Sequence, residues 1–440
     1  MNKNESLELA HWAVKVAQRN GADQVAVDIS KSRDISVSFH ERKPETLTES
    51  TRNGLSLRIF AANRYSSHST CNFKKDALEK FIAEAVAMTR YLGEDKFRTL
   101  PDPKYYQGIK DVDLKINDPD YEKVTSQKRV ELAGRLEELT LSLSDQIVSC
   151  STEYGDNKTF QIKLNSNGFE GYHEETDFYY YTSTTFIDEK GGRPSDYDYS
   201  EAKYIKDLAP LEQLAQNAIE RTRRRIGQVK MASGRYDMIV ENRAASRILS
   251  PLVSAIQGRA LQQKNSFLID KLGQKIASDK LTLIDDPFIP GGMASSLYDD
   301  EGMATGRRVI IDKGVLQTYY IDTYYANKMG VVPTGGSRTN VIVEPGKKSL
   351  EELVAQCKKG ILVTSFVGGN VNDTTGDFST GIIGMYVENG KIIKPVNEMN
   401  ITGNHTEIWN RLVELGNDVY TISAWRRPSL YFEGIEFSGL

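Results

Sequence analysis

The order of its periodic segments constrains the fold of this chain most, because a helical pattern, a set of alternating strands and a second helical pattern follow one another early in the sequence. Apolar residues recur at helical spacing over residues 7–17, behind the candidate N-cap Asn4. Alternating apolar residues then occupy residues 25–59, where Arg52-Asn53-Gly54 is a turn signal between antiparallel strands. A second helix is predicted at about residues 75–92. This succession predicts a mixed unit of helices and antiparallel strands.

The same order of elements returns after residues 98–107, a Pro-containing segment typical of a linker. The second set is predicted as a helix from near Asp118 through Leu143, strands at 147–154, 160–165 and 178–186, and a helix at 211–225. Asn165-Ser166-Asn167-Gly168 is a tight-turn signal between two of these strands. The repeated order suggests a structural repeat.

From Ser233 onward the pattern changes to short strands separated by Gly, Asp and Pro, with helices near 244–260 and 349–359. Helices and strands are segregated rather than alternating as βαβ units, which predicts an α+β fold. Two mixed helix/antiparallel-strand units would precede a larger β-rich C-terminal domain. The predicted boundaries are 1–107, 108–228 and 229–440.

Composition excludes several classes of protein. With 56 Lys+Arg against 60 Asp+Glu, the formal charge of -4 gives no overall positive field, so nucleic-acid binding is not expected. No stretch approaches the roughly 18 apolar residues of a membrane helix. Cys71, Cys150 and Cys357 are far apart and lack C-x-x-C spacing. We therefore expect a cytoplasmic protein with reduced thiols and no membrane contact.

Short motifs recur along the chain in a fixed succession. They are Gly54-Leu55-Ser56-Leu57-Arg58, Asp285-Asp286-Pro287, Asp299-Asp300-Glu301-Gly302, Gly314-Val315-Leu316, Thr334-Gly335, Thr375-Gly376-Asp377-Phe378, Glu388-Asn389-Gly390-Lys391, Ile401-Thr402-Gly403-Asn404 and Gly416-Asn417-Asp418. In this order and approximate spacing the chain resembles the TldD/PmbA family, once labelled modulators of DNA gyrase, over nearly its whole length.

The resemblance implies a family of metalloprotease subunits. TldD-type members carry an H-E-x-x-x-H motif and a zinc-binding cysteine near the C-terminus, whereas the PmbA or TldE type is the partner without that motif. The resemblance further implies an assembly enclosing a cavity, in which an extended, unfolded peptide is threaded and cut.

The sequence can be searched directly for the ligands of a catalytic zinc ion. A catalytic zinc ion needs about three protein ligands. The histidines are His11, His40, His68, His173 and His405, and no two of them lie four or five residues apart. His40-Glu41 and His173-Glu174 begin an H-E motif without completing it. The chain therefore cannot contain H-E-x-x-x-H.

In the family, the motif helix follows the strand that opens the third unit. Here residues 240–249 read V-E-N-R-A-A-S-R-I-L, and the segment after Asn417 has no cysteine. Both departures indicate the TldE/PmbA-like type. We predict no metal ligands and no catalytic residues in this chain, and we expect zinc only in a TldD-like partner.

Two polar groups are candidates for lining a substrate cavity. Five carboxylates, Asp285, Asp286, Asp299, Asp300 and Glu301, fall within 17 residues, and they would either form tight turns or face a peptide. Around Asp377, glycines, which allow unusual backbone conformations, lie next to polar residues in the sequence. This pattern suits close approach by another backbone. The candidates for this cavity are Asp299, Asp300, Glu301, Gly376, Asp377 and Asn404.

These inferences predict a TldE/PmbA-like non-metal subunit of a TldD/TldE-type metalloprotease that degrades or matures unfolded peptides. It would dimerise with a TldD-like sibling or with itself, and it would not be catalytic alone. The alternative is a stand-alone homodimeric peptide-binding or chaperone-like module without catalysis. A regulator of DNA topology is a third reading, which the acidic balance does not support.

Overall fold

The computed structural model describes residues 2–440, in which helices and strands form an α+β fold, as predicted. The helices within these residues are α1 (Lys3–Arg19), α2 (Lys75–Thr89), α3 (Ser126–Ser142), α4 (Leu211–Arg223), α5 (Ser246–Ala255), α6 (Gly258–Gln262), α7 (Thr323–Met329), α8 (Leu350–Gln356) and α9 (His405–Ile408). The strands are β1 (Gln24–His40), β2 (Lys43–Ala61), β3 (Arg64–Thr70), β4 (Ile147–Asn165), β5 (Phe169–Phe186), β6 (Ser195–Ala202), β7 (Gly234–Val240), β8 (Leu283–Asp286), β9 (Arg308–Asp312), β10 (Val315–Leu316), β11 (Asn340–Val343), β12 (Lys359–Val371), β13 (Asp377–Glu388), β14 (Lys391–Asn404), β15 (Leu412–Leu415), β16 (Trp425–Arg426) and β17 (Leu430–Ser438).

The N-terminal half forms one six-stranded antiparallel sheet in the order β3-β2-β1-β4-β5-β6. The two predicted N-terminal units contribute three strands each, and the pairing of β1 with β4 joins them. Helices α1 and α2 bury the apolar residues of one half of the sheet, and α3 and α4 bury those of the other half. Side chains alternate along each strand, and the opposite face carries polar residues together with a small apolar cluster of Ala26, Phe60 and Leu100. The three domain boundaries stay predictions.

Two local expectations for this half are wrong. Helix α1 begins at Lys3, because the side chains of Asn2 and Glu5 each accept the other's backbone N–H, at 3.0 and 2.9 Å. The cap is thus Asn2 rather than Asn4. Residues 52–54 form no turn, because β2 continues through them, with Asn53 opposite Lys31.

The C-terminal half contains two sheets around the most extensive apolar core. One has the order β10-β9-β8-β11-β16, and the other has the order β14-β13-β12-β7-β17-β15. In the second sheet β14 also pairs with β17, through Asn400 opposite Ser438 and Ile401 opposite Phe437, which closes five strands into a barrel. No helix within residues 2–440 has both the length and the apolar character needed to cross a membrane.

Candidate functional site

The predicted residues at 299–301, which we call the acidic loop, form a tight turn after β8. Asp299 is buried, and one of its carboxylate oxygens accepts the backbone N–H groups of Glu301 and Met303, each at 2.9 Å. Burial raises the pKa of Asp299, although these hydrogen bonds act in the opposite direction. The side chain therefore holds the turn together from inside.

The acidic loop also fastens the C-terminal half to the six-stranded sheet. The carbonyl of Asp300 accepts hydrogen bonds from Lys163 Nζ at 2.6 Å and from Arg58 Nη2 at 3.4 Å. The carbonyl of Glu301 accepts one from Asn165 Nδ2 at 2.8 Å. Lys163 and Asn165 are both buried, so these contacts are shielded from water.

The Glu301 carboxylate lies at the start of α7. Its Oε2 accepts the backbone N–H of Thr323 at 2.8 Å and the Thr323 hydroxyl at 2.9 Å. Burial raises the pKa of Glu301 to about 7, and the neighbouring charge of Asp299 adds to the shift. Part of the Glu301 population is thus protonated near neutral pH.

The two remaining carboxylates of the cluster have partners inside the same domain. Asp285 is buried and pairs with Arg308 Nη2 at 3.0 Å, and it also accepts the backbone N–H of Thr339 at 2.8 Å. Asp286 accepts the N–H of Phe288 at 2.9 Å. The side-chain carboxylates thus have internal partners, as turn-forming residues do.

The second predicted group, Gly376, Asp377 and Asn404, which we call the hairpin group, lies at one end of the β13–β14 pair. Asp377 is exposed and accepts hydrogen bonds from the Thr375 hydroxyl at 2.6 Å and from Asn404 Nδ2 at 2.8 Å. These hydrogen bonds lower the pKa of Asp377. Asn404 Oδ1 in turn accepts the N–H of Thr406, which caps α9.

The backbone conformation and the close packing at position 376 favour glycine. Its φ is +83°, and a Cβ there would lie 3.1 Å from Asn404 Oδ1 and 3.2 Å from Phe267 Cγ. Its carbonyl accepts the N–H of His405 at 2.8 Å. Within residues 2–440 the acidic loop and the hairpin group share no hydrogen-bond partner.

From the end of β7 into the first turn of α5, where the family's motif helix is expected, the arginine and alanine side chains do not fit a zinc ion. Arg243 forms an ion pair with Asp198, and its guanidinium lies over the Tyr197 ring at 5.1 Å. Arg247 donates to the carbonyl of Gly368 at 2.7 Å. Guanidinium and methyl groups offer zinc no electron pair. Across residues 2–440, no three His, Cys, Asp or Glu side chains are grouped so as to hold a metal.

His405, which lines the same cleft as Arg247, is also engaged in packing contacts. His405 is buried between the rings of Phe267 and Phe378, and burial lowers its pKa to about 4, so its imidazole is neutral near pH 7. Its Nδ1 accepts a hydrogen bond from Trp409 Nε1 at 3.3 Å. His40 and His173, the two residues that begin H-E, lie on β1 and β5.

A feature that the sequence did not predict is the free edge of β12. This strand pairs with β13 along its length, but its pairing with β7 stops at Val363 opposite Val240. Among the described residues no strand pairs with that edge from 364 to 371. The edge borders a narrow cleft against Ile248 and Pro251 of α5, and the cleft reaches His405 and Phe378 beside the hairpin group.

The local sequence gives little indication of this edge, because the edge exists only where a neighbouring strand ends. Gly368-Gly369-Asn370 is the one hint, since adjacent glycines at positive φ allow the irregular pairing seen between Val367 and Asn370. The side chains of Val367 and Val371 are 51% and 37% exposed.

Comparisons with known proteins agree with this geometry. Family models match three consecutive parts of the chain, described as PmbA/TldA metallopeptidase domain 1 (25–89), central domain (119–226) and C-terminal domain (233–439). Metalloprotease PmbA of Escherichia coli O157:H7 is 31% identical over 430 residues, which are 95% of this chain and 93% of that protein.

Solved structures show the same architecture. A candidate modulator of DNA gyrase from Bacteroides thetaiotaomicron is 44% identical, with a TM-score of 0.97 and full coverage of both chains. TldE from Thermococcus kodakarensis, at 21% identity and a TM-score of 0.87, covers 98% of this chain and 100% of its own and shares the fold. The fold and the three domain matches together place the chain in a class of three-domain metallopeptidase-family proteins. The chain belongs to the PmbA/TldD family.

Proposed function

We propose that this chain is the TldE/PmbA-like, non-metal subunit of a TldD/TldE-type metalloprotease that degrades or matures unfolded peptides. The observation that carries the proposal is the free edge of β12. This edge runs beside the start of α5, where Arg and Ala stand in place of the family's zinc-binding motif residues. The edge offers a binding surface, and the neighbouring side chains offer no metal chemistry.

The peptide would bind as an added strand along residues 364–371 of β12, where it would displace Arg247 from the carbonyl of Gly368. Backbone hydrogen bonds give such binding its affinity with little dependence on sequence. The exposed Val367 and Val371 would contact side chains of the bound peptide. Folded substrates would be excluded because their backbone groups are already paired.

Zinc would reside in the TldD-like partner, where it supplies the activated water of peptide hydrolysis. This chain would bind, orient and confine the peptide. Relatives named TldD and TldE support a two-component assembly, in which this chain dimerises with a TldD-like sibling or with itself. The cytoplasm is the expected compartment, and the free thiols of Cys150 and Cys357 are buried, as suits a reducing environment.

Cleavage of an unstructured peptide tests the proposal. The chain would be assayed alone and mixed with a sibling that carries H-E-x-x-x-H, each with and without a metal chelator. We expect only the mixture to cut and the chelator to stop it. Cleavage by this chain alone would contradict the non-metal assignment.

A matched pair of variants locates the binding edge. Val367→Asp places a charge on the proposed edge, whereas Val332→Asp changes another exposed valine, in the loop after α7, 67% exposed. We expect the first to reduce cleavage by the mixture and the second to leave it unchanged.

The second candidate is a homodimeric peptide-binding or chaperone-like module without catalysis. The same free edge favours it, since strand addition needs no metal. Peptide binding without cleavage in any mixture would select this candidate.

A further inference from the structure

A polar cavity of about 410 Å³ lies where α4 and β6 of the N-terminal half meet the C-terminal half. The C-terminal half contributes residues 242–243 and 419–422 to its wall. Gln213, Arg224 and Thr421 of the lining are exposed, so the cavity opens to solvent. Its volume falls in the range of about 300–1,000 Å³ typical of small-ligand sites, which often lie between domains.

The carboxylates that line the cavity, and those that hold its arginines in place, all have arginine partners. The ion pairs are Asp198–Arg243, Glu220–Arg223, Asp196–Arg221 and Glu241–Arg221. The N–O distances of the last two are 3.5 and 3.1 Å. A ligand in the cavity would therefore meet no unpaired carboxylate among the lining residues.

Two arginines at the cavity lack such a partner within residues 2–440. Arg224 lines the cavity, and its guanidinium forms no ion pair and donates no hydrogen bond. Arg427 is only 4% exposed, and its guanidinium lies 4.7 Å from the ring of Tyr420, which lines the cavity.

The buried Arg427 is only partly satisfied. It donates to the carbonyls of Trp425 at 2.6 Å and of Arg243 at 2.9 Å, while its Nε has no partner. Burial lowers the pKa of Arg427, which means that its surroundings disfavour the charged form. A buried cation without a counterion is costly, so an anion bound in the cavity would stabilise it.

The cavity also offers hydrogen-bond acceptors. Asn217 Nδ2 donates to Asp198 at 2.9 Å, and Asn242 Nδ2 donates to the carbonyl of Asp418 at 2.6 Å. The Oδ1 atoms of these two asparagines accept no hydrogen bond within residues 2–440. The apolar part of the wall consists of Leu214, Val419 and Ile422. A matching ligand therefore has an anionic group, N–H donors and an apolar side chain.

We propose that this cavity binds the C-terminal end of a peptide, with the α-carboxylate at Arg224 and the last backbone N–H groups at Asn217 and Asn242. Guanidinium groups suit a carboxylate because they can donate two parallel hydrogen bonds. Inorganic phosphate would leave the two amide oxygens without donors from a peptide backbone. The ammonium group of a free amino acid would find no unpaired carboxylate. The inference deepens the proposed function and rests on it only for the peptide class of the ligand.

The cavity and the free edge of β12 are close in the chain. Arg243 lines the cavity, and Arg247 donates to the carbonyl of Gly368 on the β12 edge. The Cα atoms of residues 243 and 247 are at most about 14 Å apart, because only four residues of chain join them. The peptide end in the cavity and a strand along β12 can thus belong to one chain.

Calorimetric titration of the full chain with two short probes tests the proposal. One probe is N-acetyl-dileucine with a free carboxylate, and the other is the same dipeptide with a C-terminal amide. Both are too short to pair along the whole β12 edge. We expect the free acid to bind about tenfold more tightly, because its hydrogen bonds to arginine are charge-assisted. High salt should reduce this advantage.

A matched pair of variants locates the carboxylate. Arg224→Gln removes the unpaired arginine of the cavity wall, and Arg259→Gln removes an exposed arginine of α6 that also has no carboxylate partner. We expect the first to remove most of the advantage of the acid over the amide and the second to preserve it. A general loss of stability would affect both probes alike. Val367→Asp, on the β12 edge, should leave the binding of both dipeptides unchanged.

Equal affinities for the acid and the amide, or no binding of either, would overturn the proposal. Inorganic phosphate or free leucine binding as tightly as the acid would also overturn it, because neither has the backbone of a peptide. Equal effects of Arg224→Gln and Arg259→Gln, or weaker dipeptide binding by Val367→Asp, would contradict the location. Absence of cleavage by the mixture, with the preference for the acid intact, bears on the proposed function alone.

Discussion

In the acidic loop, the carboxylates accept hydrogen bonds from groups of their own domain, and the loop's carbonyls accept donors from the six-stranded sheet. In the hairpin group, the carboxylate of Asp377 is exposed and accepts hydrogen bonds from Thr375 and Asn404. Both regions combine acidic residues with a positive-φ glycine, Gly302 in one and Gly376 in the other.

This difference in burial and hydrogen bonding shows that residue type alone does not determine which carboxylate is available to a ligand. Asp299 is buried and its carboxylate already accepts two backbone N–H groups of its own turn, so it is not available to a ligand. Exposure beside the free edge of β12 leaves Asp377 able to accept a further donor. The acidic loop is thus a junction between the two halves of the molecule, and the hairpin group is the better candidate for contact with a peptide.

The largest expected effect is on stability at the junction. Asp299→Ala removes the acceptor of two buried backbone N–H groups, so we expect the free energy of unfolding to fall by about 3 kcal/mol. Asp299→Asn keeps a carbonyl acceptor and should lose less. Chemical denaturation measures both, alongside Asp377→Ala, whose loss should be within the scatter of surface variants. A loss for Asp377→Ala as large as that for Asp299→Ala would erase the contrast.

The pH dependence of stability should separate the regions by sign. The folded chain holds the Glu301 proton more tightly than the unfolded chain, because burial raises this pKa from 4.5 to about 7. The contribution is fully present below pH 4.5 and is lost as pH rises through about 7. We expect the free energy of unfolding to fall by about 3 kcal/mol over that range relative to Glu301→Gln.

Asp377 should act in the opposite direction. Its pKa is lowered by Thr375 and Asn404, so its contribution is present at neutral pH and is lost on acidification. Denaturation of Glu301→Gln and Asp377→Asn at several pH values gives both slopes as differences from the wild type. Slopes of the same sign would contradict the assignment.

A smaller effect is expected from glycine substitution in the hairpin group. Gly376→Ala combines a positive φ with crowding against Asn404 and Phe267, so we expect a loss of about 1–2 kcal/mol. Gly368→Ala is the matched control, because its φ is +58° and nothing lies within 4 Å of its added Cβ. The difference between the two losses measures the crowding at Gly376 together with its less favourable φ, and equal losses would show that the hairpin group is loosely packed.

Much of the N-terminal half could be predicted because its signals lie within single elements. Helical spacing predicts α1 to α4, and Asn165-Ser166-Asn167-Gly168 predicts the turn between β4 and β5. Predictions fail where the choice is set by neighbours. The turn signal at 52–54 is overruled because its strand pairs continuously with β1, and Asn2 outcompetes Asn4 as a cap because Glu5 completes its capping box.

The site could be predicted only in part for the same reason. The Asp-rich motif predicts tight turns, but nothing local in it indicates that Lys163 and Asn165 would bind its carbonyls from more than 130 residues away. The free edge of β12 depends on where β7 stops, which is a property of the whole sheet. Gly376 and Asp377 are adjacent in sequence and lie together, whereas the assignment of both polar groups to one cavity stays a prediction.

The smallest expected effect tests ligand contact directly. Asp377→Ala should weaken binding of an unstructured peptide by about two- to tenfold, the range that the loss of one hydrogen bond predicts. Asp373→Ala removes an equal charge from the same exposed hairpin, four residues away, and Asp300→Ala removes one from the acidic loop. Fluorescence anisotropy of a labelled peptide, with the full chain at two salt concentrations, measures all three. Weakening by Asp377→Ala alone would place the peptide at the hairpin group, because a long-range charge effect would appear in every variant and fade with salt.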